Sequence, residues 1–262
     1  MNFNSNQYIR KLPDLLSATP NVKKLDLRGC EKLVKVHDSI GYLDKLESWD
    51  LWGCRELQTL PSCIAMKSLK FLNLFRCERV KRFPDIPQEM EKLKYVSLTH
   101  TAIRKLPPLF ENLTGIERLE IGSEFCSFHI PSSIYKLQRL RILLLYGNVQ
   151  FPKGVGIGRQ ALCNSYGSSS KYCFPRLNFL GSEDLNLQES IIRFDRLEYL
   201  AIEDSKFLKK IPKLPESIRR VDAKNCISLN SESLRKLILQ VRLSLKVIIE
   251  NNFGYLCKYI YN

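Results

Sequence analysis

Apolar residues recur along this chain in a nine-residue pattern, LxxLxLxxC, whose first, fourth and sixth positions are apolar. It is read at VKKLDLRGC from Val22, LESWDLWGC from Leu46 and LKFLNLFRC from Leu69. With changes at the ninth position it returns at LKYVSLTHT from Leu93, IERLEIGSE from Ile116, LRILLLYGN from Leu140, LEYLAIEDS from Leu197 and IRRVDAKNC from Ile218. The first six starts lie 24, 23, 24, 23 and 24 residues apart. Alternation on this scale is that of a half-buried strand. Each unit therefore predicts a short strand with positions one, four and six turned inward and positions three, five and seven turned outward.

A repeat of roughly 20–29 residues made of one strand and a returning arc is a leucine-rich repeat. A single unit cannot bury its own apolar face, so successive units must stack around a continuous core. The predicted fold is an α/β solenoid, a curved horseshoe with a parallel sheet on the concave face and irregular arcs or short helices on the convex side. The ninth position holds Cys30, Cys54, Cys77, Thr101, Glu124, Asn148, Ser205 and Cys226. Most of these are small and partly polar, as suits a bend where a side chain must lie under the next turn's backbone; Glu124 departs from this. Leu12-Pro13, Leu60-Pro61, Phe83-Pro84, Leu106-Pro107, Ile130-Pro131, Phe151-Pro152 and Ile211-Pro212 mark the arcs, where proline withholds a ladder donor. Short helical or 3₁₀ turns are expected after Pro61 (PSCIAMKSL) and Pro131 (PSSIYKLQRL).

The period breaks after the sixth unit, because the next plausible strand, LNFLGS from Leu177, starts 37 residues beyond Leu140. The excess falls in residues 152–175, whose glycines and serine run predict a flexible surface insertion. Residues 1–20 read as the second half of a repeat whose strand would begin upstream. From Ser231, LRKLILQVRLSLKVIIE places Leu234, Leu237, Ile238, Val241, Leu245 and Ile248 at helical spacing, so a closing helix is expected. The predicted organisation is a repeat domain over 1–234 and a helical tail or cap over 235–262.

Composition adds exclusions. The 262 residues are 44% hydrophobic and 26% charged, which argues against a disordered chain. Even the greasiest stretch, Leu234 to Ile249, is broken by Arg235, Lys236, Arg242 and Lys246, so no membrane span is expected. The opening residues lack the apolar run of a secretory leader, which points to a cytoplasmic or nuclear protein. Nine cysteines without a CxxC pair, and three histidines far apart, provide neither zinc-ligand spacing nor a complete disulfide framework. The column of Cys30, Cys54 and Cys77 reads as structural thiols. His37, His100 and His129 read as surface or arc residues with no nucleophile beside them, so no enzyme is expected. Gly154 to Gly158 lacks the spacing and context of a phosphate loop, and no GxxxxGK[ST] occurs, so no cofactor is expected. The net charge of +14 is the one outlier. Lys206 to Asn262 holds 12 basic and 4 acidic residues, so 12 − 4 = +8 of it lies in the last 57 positions. A solvated flank or an acidic protein partner fits that charge; nucleic acid fits less well, since no nucleic-acid-binding motif accompanies it.

LDLRGCEKLVKVHDSIGYLDKL (Leu25 to Leu46), LWGCRELQTLPSCI, LKFLNLFRCERVKRFPDIPQEMEKL and IPKLPESIRRVDAKNCISL carry a resemblance. The chain resembles the leucine-rich-repeat region of plant intracellular immune receptors, the class with an N-terminal Toll/interleukin-1-receptor domain and a central nucleotide-binding domain. The likeness covers roughly residues 1–234. It implies a non-enzymatic recognition and autoinhibition module in pathogen sensing. The implied partners are proteins: a pathogen effector, a guarded host protein, or the receptor's own nucleotide-binding domain. A basic nucleic-acid-binding solenoid and a substrate-adaptor repeat protein of another pathway are the alternatives.

The outward strand positions supply the candidate protein-binding residues. On the concave face they are Trp52, Phe71, Phe75, Tyr95, Arg118, Tyr146, Tyr199 and Arg220. Exposed aromatic and arginine side chains are what interface hot spots are made of, and a contiguous apolar patch on a solvated face usually has a partner.

Overall fold

The computed structural model describes residues 1–137, 139–150, 198–203, 214, 216–224, 232, 235, 246–251 and 254–256. Its strands are β1 (Lys11–Leu12), β2 (Lys24–Asp26), β3 (Lys35–Val36), β4 (Ser48–Asp50), β5 (Phe71–Asn73), β6 (Tyr95–Ser97), β7 (Arg118–His129), β8 (Ile142–Gln150), β9 (Tyr199–Glu203), β10 (Arg220–Lys224), β11 (Lys246–Asn251) and β12 (Gly254–Leu256). Ten of them form one sheet in the order β12-β11-β10-β9-β8-β7-β6-β5-β4-β2. All neighbours are parallel except the terminal β11–β12 pair. Repeat stacks on repeat in register: Leu25 pairs with Trp49, Trp49 with Leu72, Leu72 with Val96, and Val96 with Leu119. This is the leucine-rich-repeat solenoid, and strands β2 and β4 to β10 each begin at the third position of the pattern.

The alternation sets the inside and the outside. The first, fourth and sixth positions, such as Leu46, Trp49 and Leu51 or Leu69, Leu72 and Leu74, are buried at 0–1% exposure. Arc residues Leu33, Ile40, Leu57, Ile64, Val80, Phe110 and Ile134 close the core from the other side. The ninth position turns to the preceding repeat, not to the next one as expected. The thiols of Cys30, Cys54 and Cys77 donate to the carbonyls of Phe3, Leu27 and Leu51, at 3.1, 3.1 and 3.2 Å, one repeat earlier. Thr101 instead turns its hydroxyl to the Leu98 carbonyl of its own repeat, at 2.8 Å. At the next repeat the ninth residue is Glu124, and the strand runs straight through it: β7 extends to His129, with a register irregularity between Ser123 and Phe128 against β8.

The arcs carry a second, minor ladder. β1 pairs with β3, and isolated bridges continue it from Lys35 to Thr59, Cys63 to Asp85 and Lys105 to His129. Short turns sit between: a helical turn at Leu15–Ala18 capped by Asp14, and 3₁₀ turns at Asp38–Tyr42, Pro108–Asn112 and Ser132–Lys136. His37 replaces the arc proline in its repeat and caps its turn by accepting the Ser39 amide on Nδ1 at 3.2 Å. The turn after Pro131 was expected, but the one after Pro61 does not form. There the backbone is committed to the ladder, with Ile64 donating to Asp85 at 2.9 Å and Asp85 to Ser62 at 2.9 Å. At the N-terminus Asn2 bridges Asp26, so Asn2 stands at the fifth position of a repeat.

The strand expected from Leu177 lies outside the described residues; β8 pairs directly with β9, Leu145 opposite Ile202. The bidentate ion pair of Arg141 with Glu198, at 2.7 and 2.8 Å, fixes the same neighbourhood from the flank. The insertion expected over 152–175 lies outside the described residues. The helix expected from Ser231 is present at Glu232 and Arg235 but does not run to Glu250, because Lys246–Asn251 is a strand paired in parallel with β10, Arg220 opposite Lys246. The run Val247-Ile248-Ile249 is β-branched, which disfavours a helix and suits a pleated strand. Its register makes Ser244 the first position of a further unit, with a polar residue where the pattern requires an apolar one.

Burial also shapes the thiol chemistry. Desolvation raises the pKa of Cys54 to about 12 and pushes that of Cys77 well above the ordinary thiol range. Since the thiolate is the reactive form, native Cys54 is expected to react at least ~100-fold more slowly than an ordinary thiol. Iodoacetamide labelling at pH 8 read by peptide mass mapping should modify the partly exposed Cys63 and leave Cys54 and Cys77 untouched until the chain unfolds. Equal labelling of all three would contradict this placement.

Candidate functional site

With the apolar positions consumed by the core, the open face of the main sheet is made of three columns, one for each outward position. Neighbouring strands run ~4.8 Å apart, so side chains in a column meet their equivalents in the next repeat. All eight expected residues lie here and all are partly solvent-exposed. Trp52, at 43% exposure, is the most open of the aromatic ones.

In the third-position column Phe71 stacks on Tyr95, ring centroids 4.7 Å apart and 9° from parallel, and the Arg118 guanidinium lies 5.6 Å from the Tyr95 centroid. Arg118 is itself held: its Nε donates to Glu120 at 2.7 Å. Glu120 also accepts the Tyr95 hydroxyl and the Ser97 hydroxyl, both at 3.1 Å. Burial, and then the Glu120 charge, raise the Tyr95 pKa to about 12, so the phenol keeps its proton and remains a donor. The same trio recurs downstream. Arg220 lies 4.7 Å over the Tyr199 ring and grips Asp222 through two bonds of 3.0 and 2.9 Å, and the Tyr199 hydroxyl donates to Asp222. Glu120 and Asp222 are nearly buried, with their oxygens committed. Each trio is thus a rigid clamp, its ordering cost met within the fold.

The fifth-position column between them is polar: Asp26, Asp50, Asn73, Ser97 and Glu120. Asp26, Asp50 and Asn73 each accept the amide two residues on, at 3.0 to 3.1 Å, which stiffens the strand ends. The Arg28 guanidinium bonds Asp26 and holds its carboxyl below the usual range. Asp50 is farther from that charge, at 3.8 Å, and burial pushes its carboxyl up.

A row of rings forms the other flank. Trp52 and Phe75 lie parallel to within 3°, centroids 6.4 Å apart. His100 meets Phe75 edge-on at 5.3 Å and reaches Tyr146 at 4.7 Å, bridging the repeats where Thr99 and Gly122 stand in the seventh position. Contacts of this kind contribute about 0.5–1.5 kcal/mol each beyond area burial.

His100 and its neighbour Arg76 were missed by counting outward positions alone. They occupy the eighth position, where the chain leaves the strand through left-handed backbone: φ is 66° at Gly29, 74° at Gly53, 58° at Arg76, 58° at His100 and 72° at Gly147. Glycine is free there, whereas a side chain costs about 1 kcal/mol or more. The signal was legible as the eighth-position series Gly29, Gly53, Arg76, His100 and Gly147.

Comparison with known proteins fits this geometry. Residues 65–157 match the leucine-rich-repeat model of RPS4B-like disease resistance proteins. Disease resistance protein RPP2A of Arabidopsis thaliana is 37% identical over 43% of this chain and 8% of its own length. Disease resistance protein RPS4B of the same plant is 28% identical over 85% of this chain and 19% of its own length. The chain therefore spans only a small part of these relatives. A solved leucine-rich-repeat protein of Leptospira interrogans, LIC12759, overlays with a TM-score of 0.40 at 19% identity, covering 91% of this chain and 75% of that one. The sequence matches are thus to leucine-rich repeats of plant disease-resistance proteins. No helix among the described residues is long and apolar enough to cross a membrane.

Proposed function

We propose that this chain is the recognition and autoinhibition module of an intracellular plant immune receptor, acting in the cytoplasm or nucleus. One observation carries the reading: the ring row Trp52, Phe75, His100 and Tyr146, standing beside two pre-formed tyrosine–arginine–carboxylate clamps on the open face of repeats of the disease-resistance type. Rigid aromatic and arginine side chains lose little entropy on binding and supply most of the energy of protein interfaces. The chain works by binding, not by catalysis. Glu120 and Asp222 are tied up as structural acceptors, and His37 spends its Nδ1 on Ser39. The partners are proteins: a pathogen effector, a guarded host protein, or the receptor's own nucleotide-binding domain. The repeats span residues 1–234 and continue through the Lys246–Asn251 strand, with the remaining tail as a cap.

A binding screen tests the reading. The chain is used as bait against pathogen effectors and nucleotide-binding domains of RPS4B-like receptors, with single-stranded oligonucleotides in parallel. Protein partners are expected that the Trp52→Ala, Phe75→Ala double variant loses. A Tyr8→Ala, Tyr42→Ala double variant, altered at exposed tyrosines away from the ring row, should keep them. Steeply salt-dependent oligonucleotide binding with no protein partner would overturn it.

A further inference from the structure

Four arginines stand on or beside the open face, from the first repeat to β7 and on β10, and three are internally neutralised. Arg28 bonds Asp26 at 2.7 Å, Arg118 bonds Glu120 at 2.7 Å and Arg220 bonds Asp222 at 2.9 Å. Arg76 differs. It is exposed, and among the described residues its guanidinium faces only the Phe75 ring, 5.5 Å from the centroid. It also occupies a left-handed backbone position that Gly29 and Gly53 fill in the two preceding repeats. A strained, unneutralised cation laid on an aromatic ring adds nothing evident to the fold, and strain of this kind collects at binding sites.

Resting on the recognition reading above, we propose that Arg76, seated on Phe75 between Trp52 and His100, is the anchor for an acidic segment of a partner protein. The anchor takes a side-chain carboxylate with an apolar neighbour. Charge and shape select that occupant. The guanidinium offers a bidentate fork for one carboxylate, and the Trp52 and Phe75 rings receive the apolar side chain beside it. The +14 chain attracts an acidic partner from a distance. A phosphodiester backbone fits less well: a continuous polyanion tracking the row would run beside the Asp26 and Asp50 carboxylates, whereas a single glutamate or aspartate reaches Arg76 without crossing them.

The full chain is titrated with a capped peptide of alternating leucine and glutamate, following the two tryptophan indole resonances by ¹H–¹⁵N NMR; Trp49 is buried and Trp52 exposed, and Trp52→Phe assigns them. The Trp52 signal should shift saturably while Trp49 stays still. Arg76→Gly should weaken the response at least tenfold, Arg76→Lys less so. Because glycine relieves the left-handed backbone, the Arg76→Gly melting temperature should hold or rise by roughly 2–4 °C. The proposal is overturned if Trp52 does not respond, if Arg76→Gly responds like the parent, if that variant melts well below it, or if the lysine counterpart peptide or oligo-dT elicits the Arg76-dependent shift instead. Should Arg76→Gly behave like the parent while Trp52→Ala, Phe75→Ala still loses protein partners in the screen, the anchor falls and the recognition reading stands.

Discussion

Trp49→Ala is expected to destabilise the chain by about 3–5 kcal/mol, the range for emptying a buried aromatic site, while Trp52→Ala stays within about 1 kcal/mol of the parent. The two tryptophans are three residues apart, at the fourth and seventh positions of one repeat, and their exposures are 1% and 43%. In a solenoid each unit leans on its immediate neighbours, so a hole at Trp49 loosens the Leu25 and Leu72 repeats paired on either side. The buried Trp49 indole N–H has no hydrogen-bond partner among the described residues, which carries a desolvation cost of about 1–3 kcal/mol. Trp49→Phe removes that donor along with some volume and should therefore cost far less than Trp49→Ala. Denaturant midpoints of the three variants check this. Equal losses for Trp49→Ala and Trp52→Ala would mean that the strand register is wrong by a residue.

Gly122→Ala is expected to be as damaging, at about 2–6 kcal/mol, from a strained backbone combined with an unrelieved clash. Gly122 has φ of +112°, and a Cβ built there lies 2.0 Å from the Tyr146 carbonyl oxygen, a backbone atom of the paired strand. The neighbour cannot swing aside as a long side chain would, so β7 and β8 must part. Gly115→Ala is the matched control. Its Cβ meets the Glu91 carbonyl at 1.9 Å in the arcs, remote from the rings. Both variants should melt early, but only Gly122→Ala should displace Tyr146 and with it the His100 contact. A Gly122→Ala chain with the parent's melting temperature would contradict the described pairing.

The main sheet was legible because burial acts on alternate residues: Leu25, Leu27, Leu72 and Leu74 can face only one way once their repeats stack. The ninth-position thiols were legible as small side chains under an adjacent turn, but the carbonyls they bond belong to the preceding repeat, not the next. Local periodicity misled at the other end of the chain. Leu234, Leu237, Ile238 and Val241 keep helical spacing and Glu232 and Arg235 are helical, yet Val247-Ile248-Ile249 joins β10, and Ser244 hid the unit by standing where an apolar residue starts the others. The helical turn expected after Pro61 was undone by a non-local ladder to Asp85 that no short window of sequence reveals. On the open face, the outward positions located the aromatic residues but not their connections. His100 and Arg76 act from an eighth position that looked like turn punctuation. The clamps of Tyr95 with Glu120 and Tyr199 with Asp222 depend on neighbours 25 and 23 residues away in the chain.

That the ring row recognises a protein is tested most directly by affinity at constant stability. A partner found in the screen is titrated calorimetrically against the parent chain and against Trp52→Ala, Phe75→Ala and the double variant, with melting temperatures recorded for each. The account predicts near-parental melting and a loss of roughly 1–4 kcal/mol of binding free energy for each ring. Undiminished affinity in the double variant, with its fold intact, would contradict it.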